Sequence, residues 1–244
     1  MQPLVDELLD PAQTNLRLYQ QLRHAGRDAA EIERVRQTYK LVIRLFTGQY
    51  RGTGRPFVAH LVGTASILAT LGARGAVVRA GLLHAAYTHG AFPGWRRALT
   101  ERKRQEVRAV AGAETEGLVL RYARLRWTAE VVPGLLDRLT TMSELDRDVI
   151  TVRVANELED LVDRGRVSGA QRAAATGAAA LAEALGIPAL AAALARALRE
   201  NDAAPRDLPR EQDETFTLAP ATHRERVELR LARGLAGVLV RLWR

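Results

Sequence analysis

Apolar residues recur along this chain at intervals of three and four, the period of a helix with one face turned to a core. Leu16, Tyr19 and Leu22 mark the first such stripe, within residues 11–25. After a break at Gly26-Arg27, Ile32, Val35, Tyr39, Val42, Ile43 and Phe46 predict a helix over 28–47. Gly48, Gly52 and Gly54 then open a loop. Pro56, tolerated in a first helical turn, begins a helix over 56–71 that Gly72 closes. Residues 75–87 are apolar on most sides and predict a buried helix. Amphipathic, charged helices are expected at 95–111 and 114–125, and Pro133-Gly134 interrupts the next segment. Ser143 with Asp146 three residues on reads as a capping-box variant that starts a helix running to Asp163. Ala-rich helices are expected at 168–185 and 188–200, split at Gly186-Ile187-Pro188.

No stretch alternates with period two long enough to predict a strand, and no repeat of 20–50 residues stands out. The expected fold is all-α. One helical domain spans 1–200, an irregular linker with Pro205, Pro209 and Pro220 spans 201–221, and a basic amphipathic helix occupies 222–244. That last helix aligns Val227, Leu231, Leu235, Val238 and Leu242. It is expected to pack on its own core or across a homodimer; a lipid surface is the alternative.

Composition narrows the function classes. The net charge is +8, yet 34 of the 36 basic residues are Arg in a chain rich in Ala, Leu, Val and Gly. That joint bias points to coding composition rather than a nucleic-acid surface, and aromatics at 5% make a poor base-stacking platform. Nucleic acid is therefore not the expected partner. Without a single Cys, disulfides and thiolate metal sites are excluded. The segment "MQPLVDELLDPAQ" lacks the basic, apolar layout of a signal peptide, and no run is apolar enough for a membrane span, so a cytoplasmic protein is expected.

Chemistry is concentrated in three segments: "RGTGRPFVAH" (51–60), "GLLHAAYTHG" (81–90) and "RVANELED" (153–160). His60 and His84 sit on two apolar helices, where a polar ring costs about 1–3 kcal/mol unless it finds a partner. A backbone carbonyl would satisfy each ring separately. Antiparallel helices would instead bring both imidazoles to one point, as in helical metal sites. His89 could then add a third nitrogen, with Glu157 or Asp160 completing the set, or act as a general base without metal. Tyr87 is expected to pack in the core with its hydroxyl at the cavity mouth.

In these three segments the chain resembles the HD superfamily of metal-dependent phosphohydrolases, most nearly the hydrolase domain of guanosine tetraphosphate enzymes. It is similar also to an uncharacterised bacterial HD-like group with an "HLVGT…LLH…Y" pattern. The family's first motif, Arg-x-Ser-Gly-x-Pro-Tyr-x-x-His, is met by Arg51 to His60 with Thr53 and Phe57 as variants. Its Leu-Leu-His-Asp is met by Leu82-Leu83-His84-Ala85, and its Lys-Leu-Ala-Asp-Arg-Leu-His-Asn by Arg153 to Asp160.

The resemblance implies that His60 and His84 are metal ligands, while Ala85 and Asn156 stand where the family has ligand aspartates. Thr88 and His89 replace its water-activating Glu-Asp pair; Arg51 would pack on a nucleotide base, and Asp160 takes the place of a ribose-contacting Asn. Two imidazoles and an amide hold a dication such as manganese poorly. The resulting expectation is an HD fold with an eroded site, carrying no cofactor or a weakly bound divalent transition metal. It would bind a small anionic or nucleotide-like ligand through Arg51, Asn156 and Asp160, without ordinary phosphohydrolase activity. A re-tooled enzyme using His89 and Tyr87, or an assembly module built on the C-terminal helix, are the alternatives.

Overall fold

A computed structural model describes residues 1–93, 98–163, 167–203 and 216–217. The fold is all-α, as the periodicity predicts. The helices are α1 (Gln2–Leu9), α2 (Asn15–His24), α3 (Ala29–Phe46), α4 (Phe57–Thr70), α5 (Gly75–Leu83), α6 (Ala86–His89), α7 (Glu101–Ala111), α8 (Ala113–Arg124), α9 (Val132–Arg138), α10 (Glu144–Asp163), α11 (Gly169–Ala184) and α12 (Pro188–Ala203). Among the described residues, no helix is long and apolar enough to cross a membrane.

Local chemistry sets the helix starts. Thr14, Asp28 and Thr100 each accept a hydrogen bond from the backbone N–H three residues on, capping α2, α3 and α7. Ser168 and Gln171 form a reciprocal capping box on α11. The Ser143 hydroxyl accepts from the Asp146 N–H at 3.2 Å and donates to the Asp146 carboxylate at 2.6 Å, so the expected box closes through side chains. Gly72, at φ 73°, ends α4 in the left-handed conformation that other residues rarely adopt.

The core is built around α4, which is buried on nearly every side. It packs on α5, α10 and α2. Two glycines permit the closest approaches. A Cβ at Gly81 of α5 would come within 2.6 Å of the Leu68 side chain and 3.1 Å of the Ala65 Cα, both on α4. One at Gly63 of α4 would lie 2.6 Å from the Glu159 carboxylate of α10. These contacts draw the segments carrying His60, His84 and Glu159 together.

Several sequence expectations are corrected. Gln2–Leu9 is helical and buries Val5 and Leu8. In α2 the buried positions are Leu18 and Leu22, while Leu16 faces outward. Ile43 of α3 is likewise exposed. Pro133 lies in the first turn of α9, where its missing N–H is harmless, rather than interrupting a helix. The expected helix over 75–87 divides: Ala85, at φ −90° and ψ 3°, separates α5 from α6.

Two short strands also occur. β1 (Gln49–Tyr50) pairs antiparallel with β2 (Phe216–Thr217), inside the stretch expected to be an irregular linker. The C-terminal helix expected over 222–244, with its homodimer role, lies outside the described residues.

An ionic cluster joins α7 and α8 to α6. Glu116 is buried and accepts from Arg104 at 2.8 Å, Arg108 at 3.1 Å and the Tyr87 hydroxyl at 3.1 Å. Burial alone would raise its pKa; the hydrogen bonds from Arg104, Arg108 and Tyr87 outweigh that and hold it below the usual carboxyl value. A depressed folded-state pKa gives stability that is present above the unfolded value, about 4.3, and is lost as pH falls through the folded one. Thermal unfolding followed down the acid limb is expected to show this loss in the wild-type chain and a flatter limb in Glu116→Gln. Equal acid slopes in the two proteins would refute it.

Candidate functional site

A cavity of about 320 Å³ opens between α4, α5, α6, α8 and α10. Arg51, His60, His84, His89, Asn156 and Asp160 all line it. The three motif segments, far apart in sequence, therefore meet at one place. Phe57, Tyr122, Arg153, Ala85 and Thr88 add to the wall.

His60, one turn into α4, and His84, just past α5, are both buried. Their Nε2 atoms lie 3.2 Å apart, with the rings edge to face. Each ring also has a second partner. His84 Nδ1 is 2.8 Å from the Gly81 carbonyl, the backbone anchor expected of a core histidine. Around His60 Nδ1 stand the Glu159 carboxyl Oε2 and the Arg51 Nη1, the latter at 2.6 Å.

That same Arg51 nitrogen lies 2.6 Å from Asp160 Oδ1. Glu159 is fully buried and accepts from Arg55 at 2.5 Å, and Arg55 reaches Asp163 at 3.0 Å. The Asn156 amide donates to Asp160 at 3.1 Å. Arg153 bonds the Tyr122 hydroxyl at 3.0 Å, pairs with Glu157 and lies over the Trp127 ring at 5.1 Å.

Burial pushes the pKa of both imidazoles well below the ordinary histidine value; the Arg51 guanidinium adds to this at His60, and His60 itself at His84. Both rings are therefore neutral at pH 7. Burial raises Glu159 to about 8, with the neighbouring Asp160 charge reinforcing it against Arg55 and Arg51. Burial thus biases this carboxyl toward its protonated form near neutral pH.

A guanidinium can only donate, so His60 Nδ1 is the bare nitrogen, its single lone pair shared between Arg51 and the Glu159 carboxyl. His60 Nε2 carries the hydrogen and donates to His84 Nε2, leaving His84 Nδ1 to donate to Gly81.

His89 packs its ring against Phe57 at 5.3 Å, with Nδ1 2.9 Å from the Thr88 hydroxyl. Its pKa is lowered, by burial first and Arg51 second. It lines the cavity but does not join His60 and His84 in a three-histidine cluster.

Tyr87 is corrected more sharply. It does not line the cavity; its hydroxyl points to Glu116. The break at Ala85 turns α6 so that Thr88 and His89, not Tyr87, face the site. Glu157, a candidate further ligand on sequence grounds, is held by Arg153. Glu159 and Arg55 are site residues that the sequence reading does not reach. Both lie inside the quoted motif segments, Arg55 in 51–60 and Glu159 in 153–160, at positions given no role there.

His60, Glu159 and Asp160 each offer one donor atom within 4.8 Å of the others, a group that could hold a metal ion. The ion of an HD hydrolase is another matter. His60 Nε2 meets His84 Nε2, and in the cavity wall that the two rings share Ala85 and Asn156 offer no anionic oxygen. On the Nδ1 side the carboxyls are engaged by Arg51 and Arg55. Hard dications select anionic oxygen ligands, so these residues do not fit such an ion.

Residues 41–126 match the model of a family described as a domain of unknown function (DUF6817). The matched stretch contains Arg51, His60, His84 and His89 and stops before α10. No curated protein matches the chain.

Proposed function

We propose that this chain is an HD-like protein that binds a small anionic, nucleotide-like molecule in the Arg51–His60–His84 cavity, without HD phosphohydrolase chemistry. The supporting observation is the composition of the cavity wall. Arg51 and Arg153 bring two guanidiniums to the wall, paired with the carboxylates of Asp160 and Glu157, and the imidazoles are neutral. The N–H donors of these two forks, rather than a net charge, are what would hold an anion. Phe57, His89 and Tyr122 present flat rings to the same space, suited to a planar base. The volume, about 320 Å³, sits at the small end of ligand pockets, which run from about 300 to 1,000 Å³. The absence of a carboxylate at Ala85 supports the non-hydrolytic half of the reading.

Thermal unfolding with a purine nucleoside monophosphate, the diphosphate, the parent nucleoside and inorganic phosphate tests it. A binding nucleotide at about 100 times its Kd adds ~2.7 kcal/mol of stability. The phosphorylated compounds are expected to raise the melting temperature and the uncharged nucleoside to do so least. Arg153→Ala is expected to remove most of the difference. No shift from any phosphorylated compound overturns the ligand reading. Phosphate release that disappears in His60→Ala overturns the non-hydrolytic half. The position and neutral state of His89 favour a second reading, metal-free general-base catalysis; conversion of a bound ligand that His89→Gln abolishes would select it.

A further inference from the structure

We propose that the Arg51 guanidinium is the resident cation of the His60–Glu159–Asp160 cluster, and that it locks out a divalent metal the cluster would otherwise take. The geometry is that of a substituted ligand sphere. His60 Nδ1 and Asp160 Oδ1 are 3.8 Å apart, and a single nitrogen, Arg51 Nη1, stands 2.6 Å from both. An ion with bonds of about 2.0–2.2 Å would bridge the same two atoms from nearly the same point. Glu159 Oε2 lies against His60 Nδ1 and would be the third ligand. The occupant is therefore a +1 group with the position, and part of the charge, of a dication.

Its effect reaches the far side of the ring. Because Arg51 can only donate, it fixes His60 with a bare Nδ1 and a protonated Nε2. The protonated Nε2 uses up the lone pair of His84 Nε2, 3.2 Å away. Both nitrogens that could coordinate on the Ala85 side are thus spent, although they are spaced like two ligands of one ion. One side chain closes both faces of His60 to metal.

The inference rests on the metal-free reading of the cavity, but not on any anionic ligand, and its test involves none. Apo wild-type protein and Arg51→Met are dialysed against Co²⁺, with bound metal counted and the visible ligand-field spectrum recorded. Wild type is expected to retain no stoichiometric cobalt. Arg51→Met is expected to take up about one ion per chain, lost again when His60→Ala is added. Stoichiometric, His60-dependent cobalt in the wild type overturns the proposal, as does a folded Arg51→Met chain that binds none.

A measurement on the wild type alone covers the case in which the variant misfolds. Imidazole ¹⁵N chemical shifts are expected to show His60 with its hydrogen on Nε2 and His84 with its hydrogen on Nδ1. A hydrogen on His60 Nδ1 overturns the proposal. Nucleotide panels that fail while both metal and tautomer results hold would remove the ligand reading and leave this one standing.

Discussion

Replacing Glu159 by alanine is expected to lower the unfolding free energy by about 3 kcal/mol, while glutamine costs under about 1 kcal/mol at pH 7. The side chain is wholly buried and touches both His60 Nδ1 and Arg55. Alanine removes a donor from the imidazole, an acceptor from a largely buried guanidinium, and opens a void opposite Gly63. A buried group left without its hydrogen-bond partner costs about 1–3 kcal/mol, and the void adds to that. The total stays at about 3 kcal/mol because Asp163 still holds Arg55 at 3.0 Å. Glutamine reproduces the protonated acid, its N–H donating to His60 and its oxygen accepting from Arg55.

The same state sets a pH signature. A carboxyl raised to about 8 binds its proton more tightly folded than unfolded. Its contribution is full below the unfolded value, about 4.3, and is lost as pH rises through 8. Urea unfolding at several pH values is expected to show wild type losing stability over that interval relative to Glu159→Gln. Parallel curves, or a glutamine variant as damaged as alanine, would show the carboxyl to be ionised in the folded chain.

How much of this was legible in the sequence depends on the range of the interaction. Helices such as α3 and α8 declare themselves because amphipathic periodicity is local, and Ser143, Ser168 and Gly72 mark ends through bonds to near neighbours. The motif segments named Arg51, His60, His84, Asn156 and Asp160, and the fold brings all five to one cavity. What stayed hidden is long-range or directional. β1 and β2 have no strand signal of their own, since each is defined only by a partner far along the chain. Tyr87 is placed by the break at Ala85, which no periodicity announces, and so turns to Glu116 instead of the cavity. Arg51 could be identified as a cation near a ligand site. That it faces inward onto His60 required knowing that α10 delivers Asp160 to the same nitrogen. Glu159 stands inside the third motif segment, but nothing local to it announces that the fold buries it against His60 and Arg55.

The histidine pair itself depends on a residue with no side chain. Gly81→Ala is expected to cost about 2–3 kcal/mol and to uncouple His60 from His84. The added methyl would lie 2.6 Å from Leu68 Cδ1, which can rotate, but also 3.1 Å from the Ala65 Cα and 3.3 Å from its nitrogen, which cannot. Relief requires α5 to move away from α4. That motion carries the Gly81 carbonyl, the anchor of His84 Nδ1, and so stretches the 3.2 Å contact between the two Nε2 atoms. An alanine is the better helix former by about 1 kcal/mol, so a destabilised variant reports the close approach rather than propensity. Chemical denaturation gives the energy, and the imidazole ¹⁵N shifts give the coupling. With the contact broken, His60 Nε2–H loses its acceptor and the His84 shift moves toward that of an unbonded nitrogen. A stable Gly81→Ala chain with unchanged imidazole shifts would mean that the two helices have slack at this crossing, and that the histidines meet for some reason other than helix packing.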